Sequence, residues 1–212
     1  MSQLPTAGKP QSGGRKQHMK VAELIDMEEW RQVAARSSYA TFFHTPDWYL
    51  LFSRTFPATQ IRTKIFIFED GATAVLPLMR IPAGKMRFRY VSGPAGVYGG
   101  WIGGKDFGQS NVECLLEHMR NKIPAFTWRL NPFDPHMQQL PMRPFQEDFT
   151  QAIDLEAGLP AIVKTWTKGH RAAIGQAQRA GVRVECATSV DEWREYFHCY
   201  EDSIRRWGER AG

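Results

Sequence analysis

Residues Ile61 to Leu78 read IRTKIFIFEDGATAVLPL, two apolar runs separated by Glu69-Asp70-Gly71-Ala72. The runs Ile61 to Phe68 and Thr73 to Leu78 are rich in β-branched and aromatic residues, and an acidic-glycine turn between such runs predicts a β-hairpin. A third strand is expected over Met86 to Val91, and a buried strand over Phe126 to Leu130 ahead of the break Asn131-Pro132-Phe133-Asp134-Pro135. Helices flank these strands. Val21 to Ile25 reads as a short strand, after which Asp26 and Glu29 form a D-x-x-E start for a helix over Met27 to Ala35. Pro46 opens a second helix that carries Trp48, Leu51, Phe52 and Phe56 at helical spacing, and Asn111 to Lys122 is amphipathic. Helices around a sheet with hairpins give an α/β (α+β) fold class.

Downstream of the third strand, Tyr90 to Gly104 reads YVSGPAGVYGGWIGG and holds six of the eighteen glycines. Gly99 to Lys105 fits the first part of GxxxxGK, but Asp106 stands where a Ser or Thr would hold magnesium, which argues against a nucleotide loop. Two readings remain for this glycine-rich stretch. It is a turn at Ser92-Gly93-Pro94 with a bend at Gly99-Gly100, or a pocket wall faced by Tyr98 and Trp101.

Composition limits the classes of function. The chain has 212 residues, 42% hydrophobic and 23% charged, which is ordinary globular composition. Its net charge is +5, yet Lys9, Arg15, Lys16 and Lys20 fall in a first segment without Asp or Glu, so the remainder is close to neutral. Residues 1–19 read as a disordered basic tail, because they are rich in Gly, Pro, Ser and Gln and lack the apolar core of a signal peptide. No run of eighteen apolar residues occurs, so a soluble, cytoplasmic chain is expected. Cys114, Cys186 and Cys199 have no metal-binding spacing and are expected as reduced, buried packing groups. The histidines form no HExxH, and no metal site is expected. Ser92 lacks the GxSxG setting of a hydrolase nucleophile, and His44 with Asp47 reads as a capping contact at the Pro46 helix.

From Trp166 to Val182 the chain reads WTKGHRAAIGQAQRAGV, and no Asp or Glu occurs from Ala157 through Val184. Thr167 caps and Gly181 terminates a helix whose one side carries Lys168, Arg171, Gly175 and Arg179. This cationic stripe is either a solvated face or an anion site with a glycine notch. Beyond it, Val182 to Ala187 is expected to be a strand and Ser189 with Glu192 a capping box. Asp191-Glu192-Trp193-Arg194 then echoes Glu28-Glu29-Trp30-Arg31, so the strand-cap-helix order starts to repeat.

Several of these elements together resemble one family. Phe42-Phe43-His44-Thr45-Pro46-Asp47-Trp48, Leu76-Pro77-Leu78, Ser92-Gly93-Pro94 through Tyr98-Gly99-Gly100, and Lys168-Gly169-His170-Arg171 through Gly181-Val182 look like FemAB-type members of the GNAT acyltransferase superfamily. The resemblance implies tandem GNAT-like domains: a first over 20–155 with a mixed sheet, then a helical connector and the incomplete start of a second over 156–212. It implies transfer of an acyl or aminoacyl group, from acyl-CoA or aminoacyl-tRNA, to an amine of a peptidoglycan or exopolysaccharide precursor. Tyr98 would be the polar group at the reaction centre, Gly99, Gly100 and Trp101 would line the cleft, and backbone N–H groups at Gly99 and Gly100 would face the oxyanion. Lys168, His170, Arg171 and Arg179 would hold substrate phosphates. The sequence lacks a clear Q/R-x-x-G-x-G/A pyrophosphate loop, which counts against acyl-CoA. A non-catalytic module binding an anionic glycan, a lipid-linked precursor or RNA is the alternative. The stripe Trp193, Phe197, Tyr200, Ile204 and Trp207 has few local partners, so a missing C-terminal domain is expected, with limited proteolysis after Val182.

Overall fold

The computed structural model describes residues 18–23, 26–123, 125–137, 140, 146 and 149–208. Most of the basic tail and the last two residues of the expected first strand lie outside them. The chain divides into two compact units, Met1–Pro144 and Phe145–Gly212.

The first unit is a mixed α+β body. Its strands are β1 Met19–Glu23, β2 Gln60–Ile61, β3 Lys64–Phe68, β4 Thr73–Leu76, β5 Met79–Pro82, β6 Phe88–Ser92, β7 Ile102–Gly103 and β8 Phe126–Trp128, and its helices are α1 Met27–Arg36, α2 Pro46–Thr55 and α3 Gln109–Lys122. They form two four-stranded sheets, in the orders β1-β3-β4-β7 and β2-β5-β6-β8. Every pairing is antiparallel except β6 with β8.

The predicted hairpin exists, with Asp70 Oδ1 accepting from Ala72 N at 3.0 Å in its turn, but its ladder runs only from Lys64 to Leu76 and pairing resumes beyond it between β2 and β5. Pro77 has no N–H to give the ladder, so pairing is interrupted where the ribbon passes from the first sheet to the second. There Arg62 N donates to Leu78 O at 2.8 Å, and Leu78 N turns to the Thr63 hydroxyl at 3.2 Å. The two sheets therefore share one bent ribbon.

Alternation on β3 and β4 explains the core. Ile65 and Val75 point to one face, packing with Trp30, Val33, Tyr49, Met79 and Ile102. Phe66, Phe68, Ala74 and Leu76 point to the other, packing with Trp101, Val112, Leu115, Leu116 and Met119. Both faces are covered, which is why these strands read as continuous apolar runs rather than as an alternating pattern. Helix α1 starts where Asp26 Oδ1 accepts from Glu28 N at 2.8 Å, as its D-x-x-E start implies.

The second unit is helical: α4 Gly158–Thr165, α5 Lys168–Arg179 and α6 Val190–Trp207. Thr167 caps α5, Gly181 follows it at φ 78°, and Ser189 and Glu192 make the reciprocal capping box of α6. The strand expected over Val182 to Ala187 is a correction, because residues 182–188 form no regular element and Val184 is 97% exposed. An apolar run becomes a strand only beside an edge that takes its hydrogen bonds. The echo of α1 in α6 is likewise confined to the cap and the helix: Trp30 is fully buried, whereas Trp193 is exposed. The cysteines also differ from expectation, since Cys186 and Cys199 are exposed and Cys114 is half-buried.

Candidate functional site

The glycine-rich stretch lies where the two sheets part. Strand β6 runs parallel to β8 through Tyr90–Phe126, Val91–Thr127 and Ser92–Trp128, and the next partner of β8 is Tyr98, bridged to Arg129. Residues 93–97 are thus looped out of a strand that resumes in register. The excursion needs a left-handed backbone at Gly93 (φ 74°), Ala95 (φ 66°) and Gly96 (φ 71°), and Ala95 holds it with a side chain that disfavours it. Arg129 Nη1 donates to Gly96 O at 2.6 Å and secures the loop against the neighbouring strand. The crossover from β6 to β8 contains α3, so Tyr98 lies at the carboxyl end of a parallel pair joined through a helix.

Buried polar groups fasten this junction. Tyr49 Oη accepts from Gly93 N at 2.9 Å and donates to Pro77 O at 3.2 Å, so one phenol ties together both places where the sheets diverge. Burial pushes the Tyr49 phenol up to about 12. Ser92 Oγ accepts from Gly100 N at 2.8 Å, and Gly99 N donates to Arg129 O at 2.9 Å. His44 is wholly buried in a 3-10 turn over Phe42–His44, where its Nδ1 accepts from Thr41 N at 3.1 Å and its carbonyl accepts from Trp30 Nε1 at 2.7 Å. Burial lowers the His44 imidazole, and the Gly99 backbone opposes that shift. Three motifs that are distant in sequence, around His44, Pro77 and Ser92–Gly100, therefore meet at one place.

The geometry alters the roles of the predicted residues. A Cβ on Gly99 would overlap the Ser92 carbonyl, and one on Gly93 the Val97 carbonyl, so these glycines allow backbone to lie on backbone. The N–H groups of Gly99 and Gly100 are already committed to Arg129 O and Ser92 Oγ, which corrects the expectation that they face an oxyanion. Trp101 is fully buried, with its ring edge-on to Trp128 at 5.8 Å, and is a core group rather than a cleft wall. Tyr98 is half-exposed, and its ring meets Phe133 at 6.2 Å.

One pair escaped the sequence reading. Asp134, 4% exposed, accepts from both His136 N and His136 Nδ1 at 2.9 Å. Burial raises the Asp134 carboxyl, and the His136 contacts pull it back. Tyr39 lies beside the pair with its ring edge-on to His136 at 6.3 Å, its hydroxyl accepting from Gly103 N at 2.9 Å and its carbonyl accepting from Asn131 Nδ2 at 2.8 Å. Burial and the Asp134 charge push the Tyr39 phenol upward. Asp134 Oδ2, Trp101 Nε1 and Ser37 Oγ are buried without a hydrogen-bond partner among the described residues. The available signal was Asp-x-His in the segment read as a chain break. A short acidic residue two positions before a His forms a local turn that also aims the ring.

Lys168, His170, Arg171 and Arg179 belong to the second unit, and all four are exposed. His170 N donates to the Thr167 cap at 3.3 Å, and Arg171 Nη1 approaches Lys164 O at 3.4 Å, near the carboxyl end of α4. At the Gly175 notch a Cβ would come within 3.3 Å of Arg179 Nη1, the far end of an exposed side chain one turn along the same helix. Among the described residues no group of three or more His, Cys, Asp or Glu could hold a metal ion, and no helix is long and apolar enough to cross a membrane. The chain matches no family model, no curated protein and no solved structure.

Proposed function

We propose that the chain is an N-acyltransferase or aminoacyltransferase of FemAB/GNAT type, acting on an amine of a cell-envelope glycan or peptidoglycan precursor. The reading is supported by one observation above the others. The parallel pair β6 and β8, joined through α3, is interrupted at residues 93–97, and Tyr98 emerges at the carboxyl end of that pair. In open α/β sheets ligands bind outside the carboxyl ends of the parallel strands, and this pair supplies one such end in an otherwise antiparallel sheet.

In this reaction the acceptor nitrogen attacks the carbonyl carbon of an ester or thioester. A tetrahedral oxyanion forms, the amine loses a proton, and the alcohol or thiol departs with the bond electrons. Tyr98 is the polar group assigned to the reaction centre. Lys168, His170, Arg171 and Arg179 are assigned to the phosphates of aminoacyl-tRNA, acyl-CoA or a lipid-linked acceptor.

The engagement of the Gly99 and Gly100 N–H groups favours a second reading, in which the same surfaces bind an anionic glycan, a lipid-linked precursor or RNA without chemistry. Mass-detected transfer from a panel of aminoacyl-tRNA and acyl-CoA donors to amine acceptors separates the two. A product that disappears in Tyr98→Phe is expected for the enzyme, and binding without turnover across the panel for the module.

A further inference from the structure

Strands β5 and β6 form a hairpin that outruns its neighbours. Strand β2 pairs only with Met79 and Arg80, and β8 begins its pairing at Tyr90. Among the described residues the segment from Pro82 to Arg89 is therefore a two-stranded ribbon with no strand on either side, closed by Ala83 N donating to Arg87 O at 2.8 Å, and every residue of it is exposed.

Its composition is one-sided. No Asp or Glu occurs from Gly71 through Lys105, while Arg80, Lys85, Arg87 and Arg89 all lie on this hairpin. Among the described residues, none of the four has a carboxylate partner. Met86, 91% exposed, stands at the tip between Lys85 and Arg87, and Phe88, 46% exposed, follows on the strand.

An apolar tip ringed by cations fits a surface that offers negative charge in one plane and hydrocarbon just below it. We propose that the Pro82–Arg89 hairpin docks on an anionic lipid bilayer, with Met86 entering the headgroup boundary and Lys85, Arg87 and Arg89 facing lipid phosphates. The alternative polyanion, single-stranded RNA, is bound mainly through open aromatic faces on which bases stack. This hairpin offers a poor platform of that kind: the Arg80 guanidinium lies 3.5 Å over the Phe88 ring, and Met86 has no ring. The inference stands apart from acyl transfer, since it concerns where the protein sits and not what it catalyses.

Co-sedimentation of the full chain with vesicles of phosphatidylcholine, alone or mixed with phosphatidylglycerol, tests the inference. Binding to the mixed vesicles only is expected. Replacing Lys85, Arg87 and Arg89 together by Gln should weaken it on the order of a hundredfold, at about one kcal/mol per cation near an anionic surface. Met86→Ser should weaken it roughly tenfold, the loss expected for an apolar side chain leaving a hydrocarbon contact, with the salt dependence unchanged. Because the first segment is also basic, the same comparison is made in a Lys9→Gln, Arg15→Gln, Lys16→Gln background, where the hairpin substitutions should still act. Unchanged thermal midpoints establish that the variants are folded. The inference is overturned by equal binding to neutral vesicles, by no vesicle binding, or by hairpin variants that bind like the parent in either background. It is also overturned if those substitutions abolish binding to single-stranded RNA and leave vesicle binding intact.

Discussion

The Asp134 carboxylate grips His136 twice, at the backbone N–H and at Nδ1, both at 2.9 Å and both through the same oxygen. The second oxygen is buried without a hydrogen-bond partner among the described residues. Such a group is held in place by its partner and penalised by its surroundings, and the two effects have opposite consequences as pH changes.

Burial raises the folded-state pKa of Asp134 above its ordinary 3.8. Above that value the unfolded chain releases the proton while the folded chain retains it, so folding stability declines with rising pH until the folded-state pKa is passed. Asp134→Asn removes this decline. Its stability relative to the parent should improve as pH rises from about 4 towards neutrality, the range above the ordinary carboxylate value. Urea midpoints at several pH values measure it, and parallel profiles would show that the carboxylate is not penalised by burial.

His44 carries the opposite sign. Burial lowers its folded-state pKa below 6.5, so the unfolded chain takes up a proton first on acidification and the fold loses stability as pH falls below that value. A His44→Gln chain should lose less stability than the parent across that interval. Calorimetric midpoints in matched buffers would reveal the difference, and an equal acid loss in both chains would locate the sensitive group elsewhere.

Removing one oxygen at the sheet junction should be expensive. Tyr49→Phe leaves the Gly93 N–H without its phenolic acceptor and the Pro77 carbonyl without its donor, both at buried residues. At about 1–3 kcal/mol for each buried polar group left unsatisfied, a destabilisation of about 2 kcal/mol or more is expected in equilibrium unfolding. A loss below a few tenths would mean that Tyr49 only fills space.

The elements legible in the sequence are those fixed by their own neighbours. Asp26, Thr167 and Ser189 cap the helices that their side chains start, because a cap hydrogen bond spans only two or three residues. The split of the hairpin was not legible in the same way. Pro77 marks the interruption, but its consequence depends on Thr63, fourteen positions upstream, and on Tyr49 from helix α2. The expected strand after Val182 had a suitable composition, yet among the described residues it pairs with no other strand. The candidate site follows the same division. The resemblance named the His44, Pro77 and Ser92–Gly100 segments one by one, while their meeting and the engagement of the Gly99 and Gly100 N–H groups arise from packing across the junction. Asp134 and His136 were passed over because proline on either side of Phe133-Asp134 reads first as a break.

The purpose of the glycine-rich stretch can be tested by substitution. Gly99 and Gly104 both lack a positive φ, so alanine is conformationally acceptable at each. They differ in surroundings: a Cβ at Gly99 meets Ser92 backbone, whereas one at Gly104 meets nothing within 4 Å. Backbone cannot rotate away as a side chain can, so Gly99→Ala must push apart the strand end and the Tyr98–Trp101 segment. A loss of about 3 kcal/mol, at the upper end of the ordinary cost of overpacking, is expected in urea unfolding. Gly104→Ala should be neutral or slightly stabilising, because alanine restricts the unfolded chain more than glycine does. If Gly99→Ala instead kept full stability and lost only ligand binding or turnover, the glycine would serve a ligand's approach, and the pocket-wall reading would replace backbone packing.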